Sequence, residues 1–304
     1  MDGSGVKSKI HRDGSISVAF GLIEMGQGAL SVVQQMTAEA LGVEPSRITV
    51  LPTDTEQVPD SGPSVASRNV VMTGNAIRDA ASKLLPILKE AAAELMQCDL
   101  NEINIEYGAV SNIRNGETLS FAELSNYLYF SNRPMDVLGW WHVPELDYDA
   151  VNGVGEAYFT YSYATHIARV NVDTLTGQVK VDKIWASHDV GRAINPAGLE
   201  AQIEGGTAQG IGWALTEHFK VEGGKVLTDN LTTYLLPTAL DVGAIESILV
   251  EDPEPEGPWG AKGIGEPAII PTAAAITNAV SNALGISVAH IPITPEYILE
   301  MVGE

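Results

Sequence analysis

The 304 residues carry 39 Asp and Glu against 17 Lys and Arg, a formal charge of -22, and 45% of them are apolar. That length and apolar content suit one large or two ordinary packed domains, and so acidic a chain lacks the basic footprint that nucleic acid or an anionic membrane demands. Cys98 is the only cysteine, which excludes an internal disulfide, an iron–sulfur cluster or a multi-cysteine zinc site built by this chain alone.

In chain order, residues 1–9 are polar and lack the apolar centre of a secretory signal, and no run reaches the ~18 apolar residues of a membrane span. A cytoplasmic location is expected. Residues 14–22 alternate as a strand, and Leu30, Val33, Gln34, Ala38 and Leu41 keep helical spacing up to Gly42, a natural stop. Arg47–Leu51 reads as a short strand and Asp54–Ser67 as loop. Gly74–Met96 reads as a long helix that Pro86 should kink or divide, with Cys98 just beyond it as a buried structural thiol. Between Asn101 and Phe130 the pattern predicts two strands around Asn115-Gly116 and then a helix.

Pro134 and Pro144 interrupt 131–152, which divides the chain into lobes of 1–145 and 146–304. The second lobe opens with a hairpin, His166–Val172 and Gln178–Ile184 flanking Asp173–Gly177. Asn195 caps a helix that starts at Pro196 and runs through Ile203 toward Leu215; Pro271–Val280 is helical, and Pro295 starts a final short helix. Strands and helices interleave without a regular βαβ rhythm, so the expected class is α+β.

Three turns combine glycine with a polar side chain: Gly26-Gln27-Gly28, the run from Gly205 to Gly212 that contains Gln209, and Gly263-Ile264-Gly265-Glu266-Pro267. The first and third adjoin helix N-termini, whose free N–H groups would hold an anionic cofactor without lysines. Each has a plainer explanation: Gln27 caps its helix, the glycines of 205–212 permit close helix packing, and Glu266 complements a helix dipole. Glu266 is the candidate catalytic carboxylate. Glu156, in Gly153-Val154-Gly155-Glu156, is its rival, lacking the following proline and small-residue helix. No dinucleotide or nucleotide loop is present, and the six histidines show no pair at i, i+2 or i, i+4, so a protein-ligated metal is not expected.

Six segments in order, Glu24–Gly28, Pro63–Ser67, Asp189–Pro196, Gln202–Gly206, Gln209–Gly212 and Gly263–Pro267, make the chain resemble the molybdenum-binding subunit of the xanthine oxidase family of molybdenum hydroxylases. The resemblance implies two lobes of repeated two-layer α/β units, a molybdenum-pterin cofactor in its mononucleotide or cytosine dinucleotide form, and oxidative hydroxylation of an N-heterocycle or aldehyde with water as oxygen source. It implies cofactor contacts from Gly26, Gln27, Gly28, Ala66, Ser67, Gln209 and Gly265, with the Ala66 backbone near the metal and Glu266 as base. Family subunits are much longer and carry a Gly-Gly-Phe-Gly turn in their first half; none of Phe20, Phe121, Phe130, Phe159 and Phe219 stands in one. Either the subunit is split between two polypeptides or the chain is a fragment; the split is the expectation, with a second molybdopterin-binding chain, a 2Fe–2S chain and an FAD chain as partners. The alternative is a non-catalytic, cofactor-holding or architectural chain in such a complex.

Overall fold

The computed structural model describes residues 3–303. Its first sheet starts with β1 (Gly3–Ile10), where Val6, Ser8 and Ile10 alternate inward. A turn at Gly14 returns the chain as β2 (Ile16–Phe20), antiparallel to β1. The chain then forms α1 (Ala29–Leu41), closed by Gly42 in the left-handed conformation that lacks a Cβ penalty, and β3 (Ile48–Val50), parallel to β2.

Next comes α2 (Asn69–Met96), followed by a small layer of β4 (Ile103–Glu106), β5 (Ala109–Asn112) and β6 (Thr118–Ser120) under α3 (Phe121–Phe130). Ser120 and Glu123 form a reciprocal capping box at the start of α3. The last strand, β7 (Asp136–His142), pairs with the free edge of β1, giving the order β3-β2-β1-β7.

Two expectations change here. Pro86 does not divide α2, which is continuous over 28 residues and begins five residues before Gly74, at Asn69. Pro86 and Ser82 both face solvent, where water can reach the carbonyl released by the missing N–H. The polar start and the 131–152 stretch supply β1 and β7, half of the main sheet. Their glycines serve close approach: a Cβ on Gly5 would sit 2.5 Å from Pro59, and one on Gly139 would sit 2.1 Å from the Ala76 carbonyl on α2.

After a two-residue pairing of β8 (Tyr148–Asp149) with β9 (Val154–Gly155), the expected hairpin forms from β10 (Ala164–Val172) and β11 (Val179–Asp189). α4 (Pro196–Leu215) follows, with the Asn195 side chain accepting from the Gly198 N–H at 3.0 Å. A short pair, β12 (Val221–Glu222) and β13 (Lys225–Val226), precedes β14 (Ala244–Val250), which runs parallel to β11. α5 (Thr272–Leu284) and α6 (Pro295–Gly303) complete the chain. Val181, Ile184, Ile203, Ile211, Ile276, Val280 and Ile298 form the core between this sheet and its helices.

The architecture is α+β and organised in two compact units. One comprises Met1–Tyr161 with Pro253–Gly263, the other Ser162–Asp252 with Ile264–Glu304. The returning segment is held on α2, where Asn75 donates to the Glu256 carbonyl at 2.8 Å and Gly74 leaves room for the Pro258 ring. Position 145/146 lies within the first unit, ahead of β8. Among the described residues no helix is long and apolar enough to cross a membrane.

Candidate functional site

Gly26, Gln27, Gly28, Ala66 and Ser67 belong to the first unit, on the two loops that leave the carboxyl ends of the parallel strands β2 and β3. Such ends are where α/β sheets present ligand-binding loops. The two loops are joined directly, because the Ile23 N–H donates to the Ser64 hydroxyl at 2.7 Å. Arg68 braces the second loop by donating to the carbonyls of Ser61 (2.7 Å), Pro63 (2.8 Å) and Gly3 (3.1 Å).

Ala66 and Ser67 have φ of 56° and 54°, two consecutive non-glycine residues in the left-handed region. Neither is the asparagine or glycine that tolerates this cheaply, so each stores roughly 1–2 kcal/mol of backbone strain. The surroundings impose it: a Cβ on Gly263 would lie 1.8 Å from the Ser67 carbonyl oxygen, so this loop is seated on a backbone with no side chain between them. Three residues further along the chain stands Glu266.

The N-terminus of α1 does not offer the free N–H groups expected of it. Glu24 takes them, accepting from Gly26 (2.7 Å) and Gly28 (3.0 Å) on one carboxylate oxygen and from Leu30 (3.0 Å) on the other. Burial opposes the charge, yet the N–H groups of Leu30, Gly26, Gly28 and Ala29 outweigh it and hold the Glu24 carboxyl below the usual glutamate range. Gln27 does not cap the helix; its amide donates to the Ile23 carbonyl at 2.8 Å and accepts from the Met25 N–H at 2.7 Å, closing the loop on itself. Gly26 and Gly28, with φ of 108° and 83°, have nothing within 4 Å of where a Cβ would stand. Their backbone is open to a close neighbour.

Gln209, Gly265 and Glu266 belong to the second unit. Glu266 is exposed and opens a run of tight turns, its carbonyl accepting from Ile269 at 3.2 Å, that from Pro267 accepting from Ile270 and that from Ile269 accepting from Thr272. The run lies along α4. A Cβ on Gly206 would meet Ala268 at 2.6 Å and one on Gly210 would meet Thr272 at 2.4 Å, so these glycines do serve close packing. Gly205 is different, with nothing within 4 Å, and shares a helix face with Gln202 and Gln209 at i, i+3, i+7 spacing. Gln202, which the sequence motif left without a role, donates to the Gly265 carbonyl at 3.1 Å and braces the turn just before Glu266.

The rival carboxylate Glu156 is exposed, and the glycine before it has a local reason: a Cβ on Gly155 would lie 2.0 Å from the Asp147 carbonyl in the β8–β9 pairing. Cys98 is half-buried rather than buried; desolvation and the carboxylates of Glu102, Asp99 and Glu117 push its thiol up, which suppresses the thiolate. A feature that residue spacing hid is a histidine pair in the second core. In the hairpin register His166 faces Ala186 and His188 faces Ala164, so the two rings are diagonal neighbours on one sheet face, with Nε2 atoms 2.8 Å apart. Counting the strands outward from the Asp173–Gly177 turn does not find them, because a bulge between Arg169 and Val170 shifts the register by one residue and so changes the face.

The first unit thus carries strained and open-backbone loops, and the second a carboxylate on a glycine-seated turn. The family model described as "Molybdopterin cofactor-binding domain" matches residues 1–243, and the chain belongs to that family. It is 32% identical over 95% of its length to the 6-hydroxypseudooxynicotine dehydrogenase complex subunit gamma of Paenarthrobacter nicotinovorans, covering 36% of that protein. It is also 32% identical over 99% of its length to a probable xanthine dehydrogenase subunit of Bacillus subtilis, covering 40% of that protein. Quinoline 2-oxidoreductase from Pseudomonas putida 86 has the same fold, with a TM-score of 0.86 and 29% identity over 99% of this chain and 38% of that one. The chain thus spans about two fifths of the length of the relatives it matches.

Proposed function

We propose that this chain supplies part of the molybdenum-pterin cradle, and the catalytic base, of a multi-subunit hydroxylase that oxidises an N-heterocycle or an aldehyde with water as the oxygen source. The observation that carries the reading is the strained Ala66–Ser67 pair seated on Gly263, in a chain of the molybdopterin cofactor-binding family, three residues before Glu266. Strain of this kind persists only where the surrounding structure over-determines the backbone, and it clusters at functional sites. In the first unit Gly26 and Gly28 leave backbone that a large organic group can approach closely, although their N–H groups are held by Glu24; in the second, Gln209 presents an exposed neutral amide. The names of the relatives, which include a xanthine dehydrogenase subunit and a quinoline oxidoreductase, favour a ring substrate.

When bound, the molybdenum-pterin group supplies the two-electron redox couple and the Lewis acidity of the hydroxylation. Glu266 takes up the proton released from water on a carboxylate oxygen, a role that calls for the ionised form before turnover. Gln202 holds the Gly265 carbonyl and thereby the direction in which Glu266 leaves the turn. A second molybdopterin-binding chain would complete the cradle, and electrons would leave through 2Fe–2S and FAD chains, since a single cysteine cannot hold a cluster. The exposure of Glu266 and Gln209 accords with a cavity that further polypeptide completes.

The test is the composition of the purified assembly, with molybdenum measured by elemental mass spectrometry and pterin by the fluorescence of its oxidised form. Both are expected in near-stoichiometric amount with this chain. An assembly that holds neither would make the chain architectural.

A further inference from the structure

Burying two imidazoles in a core of Val181, Ile184, Ala186 and Ile276 costs desolvation that valine or leucine would avoid. The geometry around them is directional. His166 Nδ1 lies 3.0 Å from the Thr272 hydroxyl, His166 Nε2 lies 2.8 Å from His188 Nε2, and the Thr272 hydroxyl reaches the Ala268 carbonyl at 3.5 Å. Thr272 and His188 are 0% exposed, and His188 Nδ1 has no hydrogen-bond partner.

One proton sits between the two Nε2 atoms, and the order of the others follows. With Thr272 donating to Ala268, His166 Nδ1–H donates to Thr272, His188 Nε2–H donates to His166, and a lone pair is left at His188 Nδ1. The reverse order would leave a buried N–H without an acceptor, the costlier defect. Burial, and then the neighbouring His188, push His166 down to about 4, so the neutral pair on which this order depends holds at neutral pH.

The chain of hydrogen bonds ends on Ala268, two residues after Glu266 and inside its run of turns. On their other side Ala268 and Thr272 are seated against Gly206 and Gly210, and ahead of Glu266 the Gly265 carbonyl is held by Gln202. Packing against glycine fixes how close the turn lies to α4 but not how far it slides along it; the Thr272 hydroxyl, at a long 3.5 Å from the Ala268 carbonyl, adds a directional contact that bears on the second.

We propose that His188, His166 and Thr272 are positioning residues for Glu266, a relay from the β10–β11 hairpin that sets the register of the catalytic turn through the Ala268 carbonyl. The proposal rests on the reading of Glu266 as the base. Thr272→Val removes the hydroxyl at constant shape and Thr272→Ser restores it. In the assembled, molybdenum-loaded enzyme Thr272→Val is expected to lower kcat about tenfold or more with KM and molybdenum content unchanged, because small misplacements of a reacting group are costly. Thr272→Ser is expected to return kcat to within about twofold of wild type. As a readout independent of turnover, hydrogen exchange of the 264–272 peptide in the assembly should quicken in Thr272→Val and not in Thr272→Ser.

Wild-type kcat per molybdenum in Thr272→Val, or equal loss in both variants, would overturn the positioning role. Glu266→Gln run beside them separates the two claims. Turnover surviving that change would fell the base reading and this proposal with it; turnover lost there but intact in Thr272→Val would fell the relay alone. If Thr272→Val does not assemble, His188→Leu, which keeps the apolar volume and removes the Nε2–H donor, is read by kcat, molybdenum content and exchange in the same way.

Discussion

At Gly206, Gly210 and Gly263 a methyl group would strike a neighbour, whereas at Gly26, Gly28 and Gly205 it would meet nothing within 4 Å. The first set is explained by the fold: each glycine is a seat for a turn or loop that carries a candidate site residue. The second set has no packing reason, and Gly26 and Gly28 add φ values that other residues resist. Glycine on one helix, α4, thus serves both purposes one residue apart. Room left unfilled is needed for a ligand to approach backbone but does not mark a site by itself, since Gly116, Gly153, Gly223, Gly224 and Gly285 have it too.

Substitutions sharpen that contrast. Gly263→Ala is expected to be the most damaging, at about 3 kcal/mol, because the new methyl faces a backbone carbonyl that the strained loop cannot withdraw. Gly28→Ala, with the same change in volume, should cost only about 1 kcal/mol of conformational strain. Urea denaturation of the two variants checks the ranking, and equal losses would erase the distinction between seated and open glycines.

Acid provides a second probe, directed at the second core. The unfolded imidazole titrates near 6.5, whereas burial, and then His188, hold folded His166 at about 4. Between these values the unfolded chain binds a proton that the folded chain refuses, so stability rises with pH through the window. The contribution is complete above 6.5 and falls away as the pH drops toward 4, by on the order of 3 kcal/mol. Urea midpoints at several pH values should show this dependence in wild type and a flatter one in His166→Phe; identical slopes would place the histidine in solvent.

An effect as small as that at Gly28, but of opposite sign, is expected at Gly205→Ala. In an open helix interior the change should stabilise α4 by about 1 kcal/mol. It should also lower molybdenum content, since the methyl stands between Gln202 and Gln209 on the open face. Stabilisation with unchanged molybdenum would mean that this face meets no cofactor.

The legible parts of the fold were those whose signals are local. The turn at Asp173–Gly177, the Asn195-Pro196 start and the Gly42 stop each carry their own backbone chemistry, and the hairpin, α4 and α1 formed where they predict. β1 and β7 were not legible, because Gly3, Gly5 and Gly139 weaken strand propensity and are explained only by Trp140, Pro59 and α2 pressed against them. The site was legible as a set of turns. The backbone of the candidate site was less so: the left-handed Ala66 and Ser67 lack the glycine or asparagine that would announce them, and Glu24 reaches the α1 N-terminus from outside the usual capping position.

The central claim concerns one carboxylate, and Glu266→Gln in the assembled enzyme tests it most directly. The account predicts molybdenum and pterin content near wild type with kcat reduced ~10²-fold or more, the usual cost of removing a general base. A loaded variant that turns over at more than about a tenth of the wild-type rate would contradict it.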